Sequence, residues 1–461
     1  MPAHVLPPLE NINSLAKCRT VDRRDRAHNA HARSTHVVRS FRHVAIEEMR
    51  TVTAQMLCRH IEKEDPMLDK ANAIAPEIIR LRREIHTYPE LAFQEVRTAR
   101  LVAETLREIG GIDIRTGVGK TGIVGQIGTG DGPTIGIRAD MDALPIVEAT
   151  GQPFASQTPG NMHACGHDAH TAILLGVAHL LKHEFAAGGL RGNVRFLFQP
   201  AEEAQDDEGL SGAPRMIDDG ALDGVDHVIA LHVDSTLPVG QMTLRDGASS
   251  AAVDSFRGWI TGSGGHGAYP HLGTDPLWML LPVMQALHGI VTRRVDPMKP
   301  AVVSLGVVRG GTVSNVIPAE VYLEGTLRSF DPDVREQLIT EVERSFAVAR
   351  AFGGDYRLEI ERGYPAGHND TTVTNWMAGV ITDLVGAEAI DRTRAGMGAE
   401  DFAYMTRKAP GAMFMLGAAI DDGISRGHHT PIFDIDERAF ALGAAVLAET
   451  ARRYLAGELQ R

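Results

Sequence analysis

The sequence predicts an α/β domain with a mostly parallel sheet flanked by helices, interrupted by a smaller inserted α+β unit of βαββαβ order. Three observations carry that prediction. Short runs rich in Val, Ile and Leu alternate with helical stretches, as strands buried on both faces of a parallel sheet do. From residue 251 the texture changes to alternating strands and two long helices. After about residue 365 the buried-strand and helical texture returns. A chain of 461 residues also exceeds what a single hydrophobic core supports. The expected division is therefore residues 67–250 and 366–461 for the larger domain and 251–365 for the insert.

Residues 1–66 differ from everything after them. The run "TVDRRDRAHNAHARSTHVVRSFRHV" is rich in Arg and His and has no sustained apolar period. It lacks an apolar segment of the kind a secretory signal needs, so a disordered extension is expected. From Met67 the chain becomes periodic. "APEIIRLRREIHTYPE" is a helix ended at a proline, and "EVRTARLVAETLREIGG" is a second one stopped by glycines. The strands "TGIVGQIG", "PTIGIRAD", "GNVRFLFQP" and "DHVIALHV" follow, alternating with helices such as "TAILLGVAHLLKHE". In the insert, "AVDSFRGWITGSG", "AVVSLGVVRGG", "AEVYLEGTLRSF" and "DYRLEIERG" read as strands. "DPLWMLLPVMQALHGIVTR" and "DVREQLITEVERSFAVARAFG" read as its two helices.

Composition narrows the function classes. The net charge of -13 argues against nucleic acid as a partner, because binding a polyanion needs a basic surface. No apolar run approaches the ~18–20 residues that cross a bilayer. The three cysteines, Cys18, Cys58 and Cys165, cannot build a disulfide framework, which suits a reducing cytoplasm.

Chemically capable residues sit where strands end, the usual place for ligands in such sheets. Asp140 and Asp142 follow "GIR", Glu202 and Glu203 follow "FLFQPA", and His232 lies in "IALHV". The segment "NMHACGHDAH" sets Cys165 and His167 one residue apart, so that both can point into one site. A thiolate and an imidazole suit zinc, or manganese or nickel where carboxylates complete the shell. Alone, this segment reads equally as a buried cysteine beside surface histidines. Asp168 falls where a cap of the following helix belongs. Two adjacent carboxylates at a strand end can divide metal binding from proton transfer to and from water. A solvated acidic loop is the plain alternative, since "EEAQDDEG" is itself acidic. His232, inside an apolar strand, needs a partner to be buried. "GHHTPIF" adds His428 and His429 before a rigid Thr-Pro turn.

These residues belong to a longer pattern. In order, "RREIHTYPELAFQE", "RADMDALP", "MHACGHDAHTAILLG", "FQPAEE", "GGHGAYPH", "SNVIPAE", "GTLRSF", "GAEDFAYM" and "HHTPIFDIDE" run through residues 70–461. With them the chain resembles the amidohydrolase branch of the metal-dependent aminoacylase/carboxypeptidase family, which includes hippurate hydrolases and indoleacetyl-amino-acid hydrolases. The resemblance implies two divalent metal ions per subunit, zinc or manganese, with nickel or cobalt as alternatives. Their ligands would be Cys165, His167, Glu203, His232 and His429, and Glu202 would be the general base. The position just before "TP" favours His429 over His428. Asp140 would orient a metal-binding histidine, and His163 and His170 would be hydrogen-bonding braces. Arg138 stands where sister branches carry a histidine ligand. From the insert, His266 would stabilise the oxyanion, often from the partner subunit, and Asn315 and Arg328 would contact substrate. The insert would also act as a lid and form a homodimer or higher oligomer. The implied reaction cleaves an N-acyl or N-aroyl amino acid to a carboxylic acid and a free amino acid. A dipeptidase or carboxypeptidase would use the same centre. A metal-binding interaction module without activity is disfavoured, because neither a ligand nor Glu202 is missing.

Overall fold

The computed structural model describes residues 66–459. The extension expected over residues 1–66, with Cys18 and Cys58, therefore lies outside the described residues save for Pro66. Two helices open the larger domain, α1 (Pro66–Thr87) and α2 (Val96–Ile109). The second shows the logic plainly: Thr98, Ala99, Val102, Ala103 and Leu106 recur at helical spacing and are its buried stripe. It stops at Gly110, whose φ of 75° lets its N–H turn back onto the Leu106 carbonyl. Next come β1 (Asp113–Val118), β2 (Gly122–Gly128), β3 (Thr134–Asp140), α3 (His167–Ala187) and β4 (Asn193–Gln199). They are followed by α4 (Gly212–Asp218), β5 (His227–Pro238), β6 (Met242–Thr243) and β7 (Gly247–Ser250).

The insert then runs β8 (Ala252–Thr261), β9 (Gly265–His266), α5 (Pro276–Arg293), β10 (Ala301–Gly310), β11 (Val316–Ile317), β12 (Glu320–Ser329), α6 (Pro332–Ala351) and β13 (Asp355–Arg362). Its four long strands pair antiparallel in the order β10-β12-β8-β13. Burial alternates residue by residue along β8 and β12, so one sheet face is packed and the other is not. The packed face meets α5 and α6 in a core of Phe256, Ile260, Met279, Val283, Leu287, Val342 and Phe346. Both helices begin at an aspartate, Asp275 and Asp331, whose carboxylate accepts two backbone N–H groups ahead of a first-turn proline. The larger domain resumes with β14 (Gly367–Asn369), α7 (Thr371–Val385), β15 (Ile390–Asp391), α8 (Phe402–Lys408), β16 (Gly411–Ala419) and α9 (Phe440–Leu455).

The main sheet has the order β1-β2-β4-β3-β5-β16-β6-β15. Its centre, β4-β3-β5-β16, is parallel, and α1, α3 and α9 contribute to the core against it. Its flanks depart from the sequence reading. β2, expected among the parallel strands, runs antiparallel to both β1 and β4. Burial cannot reveal strand direction, because a strand covered on both faces looks equally apolar either way. The largely exposed edge strand β1 has no counterpart in the sequence reading, since "DIRTGV" carries no apolar alternation.

Topology explains how distant residues meet. Strand β3 lies between β4 and β5, all three parallel, so their carboxyl ends emerge together. Asp140 is paired with Gln199, three residues before Glu202, and Arg138 is paired with Ala230, two residues before His232. Among the described residues, no helix is long and apolar enough to cross a membrane.

Candidate metal centre

The cluster begins at Gly166, whose φ of 98° turns the chain from Cys165 into α3 at His167. A Cβ at this glycine would lie 2.3 Å from Val233 Cγ2, so only glycine fits unstrained. The helix therefore starts two residues earlier than expected, with Gly166 in the cap position, and Asp168 is not its cap. Asp168 is buried inside the first turn, where its Oδ2 accepts from Arg82 Nε and His86 Nδ1, each at 2.7 Å. Burial would raise its pKa, but Arg82 and His86 outweigh burial and keep the carboxylate ionised.

Five overlapping sets of donor atoms, those of each set within 4.8 Å of one another, occur among the described residues; two of them, Asp140 with His167 and His170, and Glu202 with Glu400 and Asp401, flank the three that make up the cluster. Those three are Cys165, His167 and His232; Cys165, Glu203 and His429; and His167, Glu202 and Glu203. Each imidazole is oriented by a backbone carbonyl or by its place in the chain. His167 Nδ1 donates to the Asp142 carbonyl at 2.9 Å, which leaves its buried Nε2 without any hydrogen-bond partner. His232 Nδ1 donates to the Val233 carbonyl at 2.7 Å and turns Nε2 to 3.5 Å from Cys165 Sγ. His429, at φ 61°, places Nε2 3.0 Å from Glu203 Oε1, an oxygen that nevertheless has no hydrogen-bond partner. Buried lone pairs that face one another without protons between them are costly unless a cation joins them. Thiol, imidazoles and carboxylate are also the donor types that zinc and related ions accept, so the residues present fit a metal. The electrostatics agree: the Cys165 sulfur and the Glu203 carboxylate beside the His429 ring favour its protonated form and raise its pKa to about 10. Burial opposes protonation of His167, yet Asp140, Cys165 and Asp142 hold its pKa well above the usual imidazole range. Positive charge is wanted here.

The adjacent histidine is placed differently. His428 is half-buried, with Nδ1 3.8 Å from Cys165 Sγ and Nε2 accepting the Ser235 N–H at 3.4 Å. Burial drops its pKa to about 3. His170 is fully engaged: Nδ1 donates to Asp140 Oδ1 at 2.6 Å and Nε2 accepts from the Val233 N–H at 2.9 Å. It braces the site as expected. His163 does not, because neither of its buried ring nitrogens has a hydrogen-bond partner.

Asp140 holds His170 and Arg138, whereas His167 is held by the next acid along, Asp142. The Asp142 carboxylate also accepts the backbone N–H groups of Glu202 at 3.0 Å and Glu203 at 2.9 Å, fixing the two acids side by side. Glu202 is buried, and burial together with Glu400, Glu203 and Asp401 pushes its pKa well up. The Asp401 N–H lies 3.4 Å from Glu202 Oε1, and the Tyr364 hydroxyl donates to the Glu202 carbonyl. Arg138, fully buried, binds Gln199 Oε1 at 2.9 Å, Asp140 Oδ2 at 2.7 Å, Glu400 Oε1 at 2.9 Å and Asp401 Oδ1 at 3.1 Å. Sequence reasoning marked Asp142 as a chemically capable acid at a strand end without assigning it a partner, and gave Tyr364, Glu400 and Asp401 no role. For the last two, the acids inside "GAEDFAYM" were the available signal; for Tyr364 there was none.

The three residues drawn from the insert make their hydrogen bonds within the insert. His266 is exposed, and its Nδ1 accepts the Ala268 N–H at 3.0 Å. Asn315, also exposed, is joined to the same hairpin through Gly267 N–H and its own carbonyl at 2.8 Å. Half-buried Arg328 donates to Thr326 Oγ1 and to the Leu327 carbonyl.

Comparison with known proteins places this geometry in context. Residues 136–453 match the peptidase family M20/M25/M40. The chain is 41% identical over 401 residues to the N-acetyl-L-cysteine deacetylase of Bacillus subtilis, covering 85% of this chain and 92% of that protein. It is 39% identical over 382 residues to thermostable carboxypeptidase 1 of Saccharolobus solfataricus, covering 82% and 95%. The crystal structure of Bacillus subtilis YxeP, described as a dinuclear metal binding peptidase, superposes with a TM-score of 0.72 at 35% identity, covering 84% of this chain and all of that one.

Proposed function

The chain belongs to peptidase family M20/M25/M40, and from that membership we propose that it hydrolyses N-acyl or N-aroyl amino acids to a carboxylic acid and a free amino acid. One observation carries the reading: Glu202 and Glu203 are locked side by side by one carboxylate, with Glu203 among the converging metal donors. Cys165, His167, Glu203, His232 and His429 would hold two divalent ions, zinc or manganese, or nickel or cobalt. Such ions, when bound, polarise an amide carbonyl and make water a stronger acid. Glu202, kept dry and beside other acids, takes a proton on its carboxylate from the attacking water and returns it to the leaving nitrogen. His266, presented by the insert of the partner subunit, would stabilise the oxyanion, and Asn315 and Arg328 would contact the substrate, with the Arg328 fork gripping its carboxylate. Exposed Trp278 and Leu281 on α5, beside the free edge of β10, support a homodimer formed through the insert. The unpaired Cys165 suits a reducing cytoplasm.

A Glu202→Gln variant tests the assignment. It should keep its metal content while kcat falls by roughly 10²–10⁴, and an active variant would remove Glu202 from the role of base. Substrate class is decided by comparing acetyl-, benzoyl- and indoleacetyl-amino acids with dipeptides, before and after chelation. Preference for dipeptides would favour the carboxypeptidase reading, which the Saccharolobus relative supports. Activity that survives complete metal removal would overturn both.

A further inference from the structure

The stretch "RREIHTYPELAFQE" contains buried charged side chains that the reaction leaves unused. Glu95 closes it, at the start of α2 and with no exposed surface. Its carboxylate does not cap that helix. Instead Oε1 accepts the N–H of Ala201 at 2.8 Å and of Phe93 at 3.0 Å, and Oε2 accepts the Thr121 hydroxyl at 2.5 Å. Ala201 and Phe93 have φ of 46° and 60°, the left-handed region that residues with a side chain avoid. Such a conformation persists only where neighbouring contacts impose it, and here one buried carboxylate contacts both strained amides.

Ala201 immediately precedes Glu202 and Glu203. Their N–H groups are taken by the two oxygens of Asp142, so three successive amides, 201 to 203, all point at fixed carboxylates. The direction in which the chain leaves Ala201 decides where both acid side chains go. We propose that Glu95 is a positioning residue for the hydrolysis: by holding Ala201 in its left-handed turn it aims Glu202 at the substrate and Glu203 at the metal. The inference rests on the roles given to Glu202 and Glu203 above.

The geometry also says which replacement works. Glutamine can keep Oε1 for the two amides and turn its NH₂ to Thr121, whose hydroxyl accepts equally well. Alanine leaves two buried amides and a hydroxyl without their acceptor. Glu95→Ala should therefore lower kcat about 10- to 100-fold with KM within about threefold, as a misplaced catalytic group does. It should also release zinc to a chelator faster and speed amide exchange in the 199–203 segment. Glu95→Gln should match the wild type on all four measures. Glu90→Ala is the control, because Glu90 caps α2 by accepting from Arg97 and Thr98 and does not reach Ala201. It should lower stability and leave kcat alone. If Glu95→Ala does not fold, Glu95→Asp takes its place, one methylene too short to span Phe93 and Ala201. Wild-type kcat in the alanine or aspartate variant, unchanged exchange at 199–203, or equal losses in the alanine and glutamine variants would each overturn the proposal. An active Glu202→Gln variant would instead overturn the reading of the site, while amide exchange would still report on the turn.

Discussion

Replacing Arg138 with methionine removes the guanidinium that contacts three buried acids, Asp140, Glu400 and Asp401, while nearly preserving volume. Breaking a buried ion pair by deleting one partner costs about 3–5 kcal/mol, because the other charge stays behind uncompensated. Arg138 makes three such pairs and a fourth hydrogen bond to Gln199, so the upper end of that range is expected at pH 8. The pH dependence follows from the directions in which the acids are moved. Burial would raise the Asp140 carboxyl, but Arg138 and two imidazoles hold it well below its usual value. Asp140 therefore stabilises the fold above its unfolded pKa and loses that contribution as pH falls. Asp401 behaves oppositely: burial, only partly offset by Arg138, raises it to about 7, so its ionisation destabilises the fold as pH rises. Without the guanidinium, Asp140 and Asp401 bind protons more tightly. Each tenfold gain in proton affinity adds about 1.4 kcal/mol of destabilisation where the group would otherwise be ionised. The loss should thus be largest at pH 8 and smaller at pH 5. Urea unfolding of the metal-free protein at both pH values measures it. A methionine variant within about 1 kcal/mol of the wild type at pH 8, or a loss that does not shrink at pH 5, would refute the view of Arg138 as the charge balancing this acid cluster.

Two further perturbations probe other parts of the molecule. Gly166→Ala forces a Cβ to 2.3 Å from Val233 Cγ2 at a φ of 98°, which should cost roughly 2–4 kcal/mol from overpacking and backbone strain together. It should also lower metal occupancy, since Cys165 and His167 flank the turn; a fully metallated variant of unchanged stability would contradict that account. Leu281→Glu places a charge in the exposed apolar face of α5, where Leu281 is 72% exposed. Sedimentation velocity should show a dimer becoming a monomer, and a wild type that sediments as a monomer would remove the case for pairing through this face.

The parts of this molecule that could be read from sequence are those whose signal is local. Strand ends carrying Asp, Glu and His, separated by helices, pointed to one edge of a parallel sheet; β3, β4 and β5 do run parallel, with Asp140 ending β3 and Glu202 and Glu203 just beyond β4, whereas His232 lies inside β5, which runs on to Pro238. The order of the insert was legible for the same reason, because its strands alternate and its helices have clear starts. The direction of β2 was not legible, since covering both faces of a strand erases any difference between parallel and antiparallel. Asp168 misleads for a related reason. Its place beside a helix start suggests a local cap, but its partner Arg82 lies 86 residues earlier.

Long-range backbone acceptors are the least visible class. Asp142 reaches amides 60 and 61 residues away, and Glu95 reaches one 106 residues away; no spacing rule marks either residue. Yet these acids give the readable motifs their geometry. Consecutive side chains at a bend diverge, and what they can do depends on which amides the bend presents and what holds them. His428 and His429 show the principle at a second place. The left-handed φ of 61° at His429, with its N–H held by the Ala164 carbonyl at 2.8 Å, turns one ring toward Glu203 while its neighbour stays packed beneath Cys165 and Ser235. A paired motif in sequence is therefore two functions, and the backbone acceptor that fixes the bend decides which residue takes which.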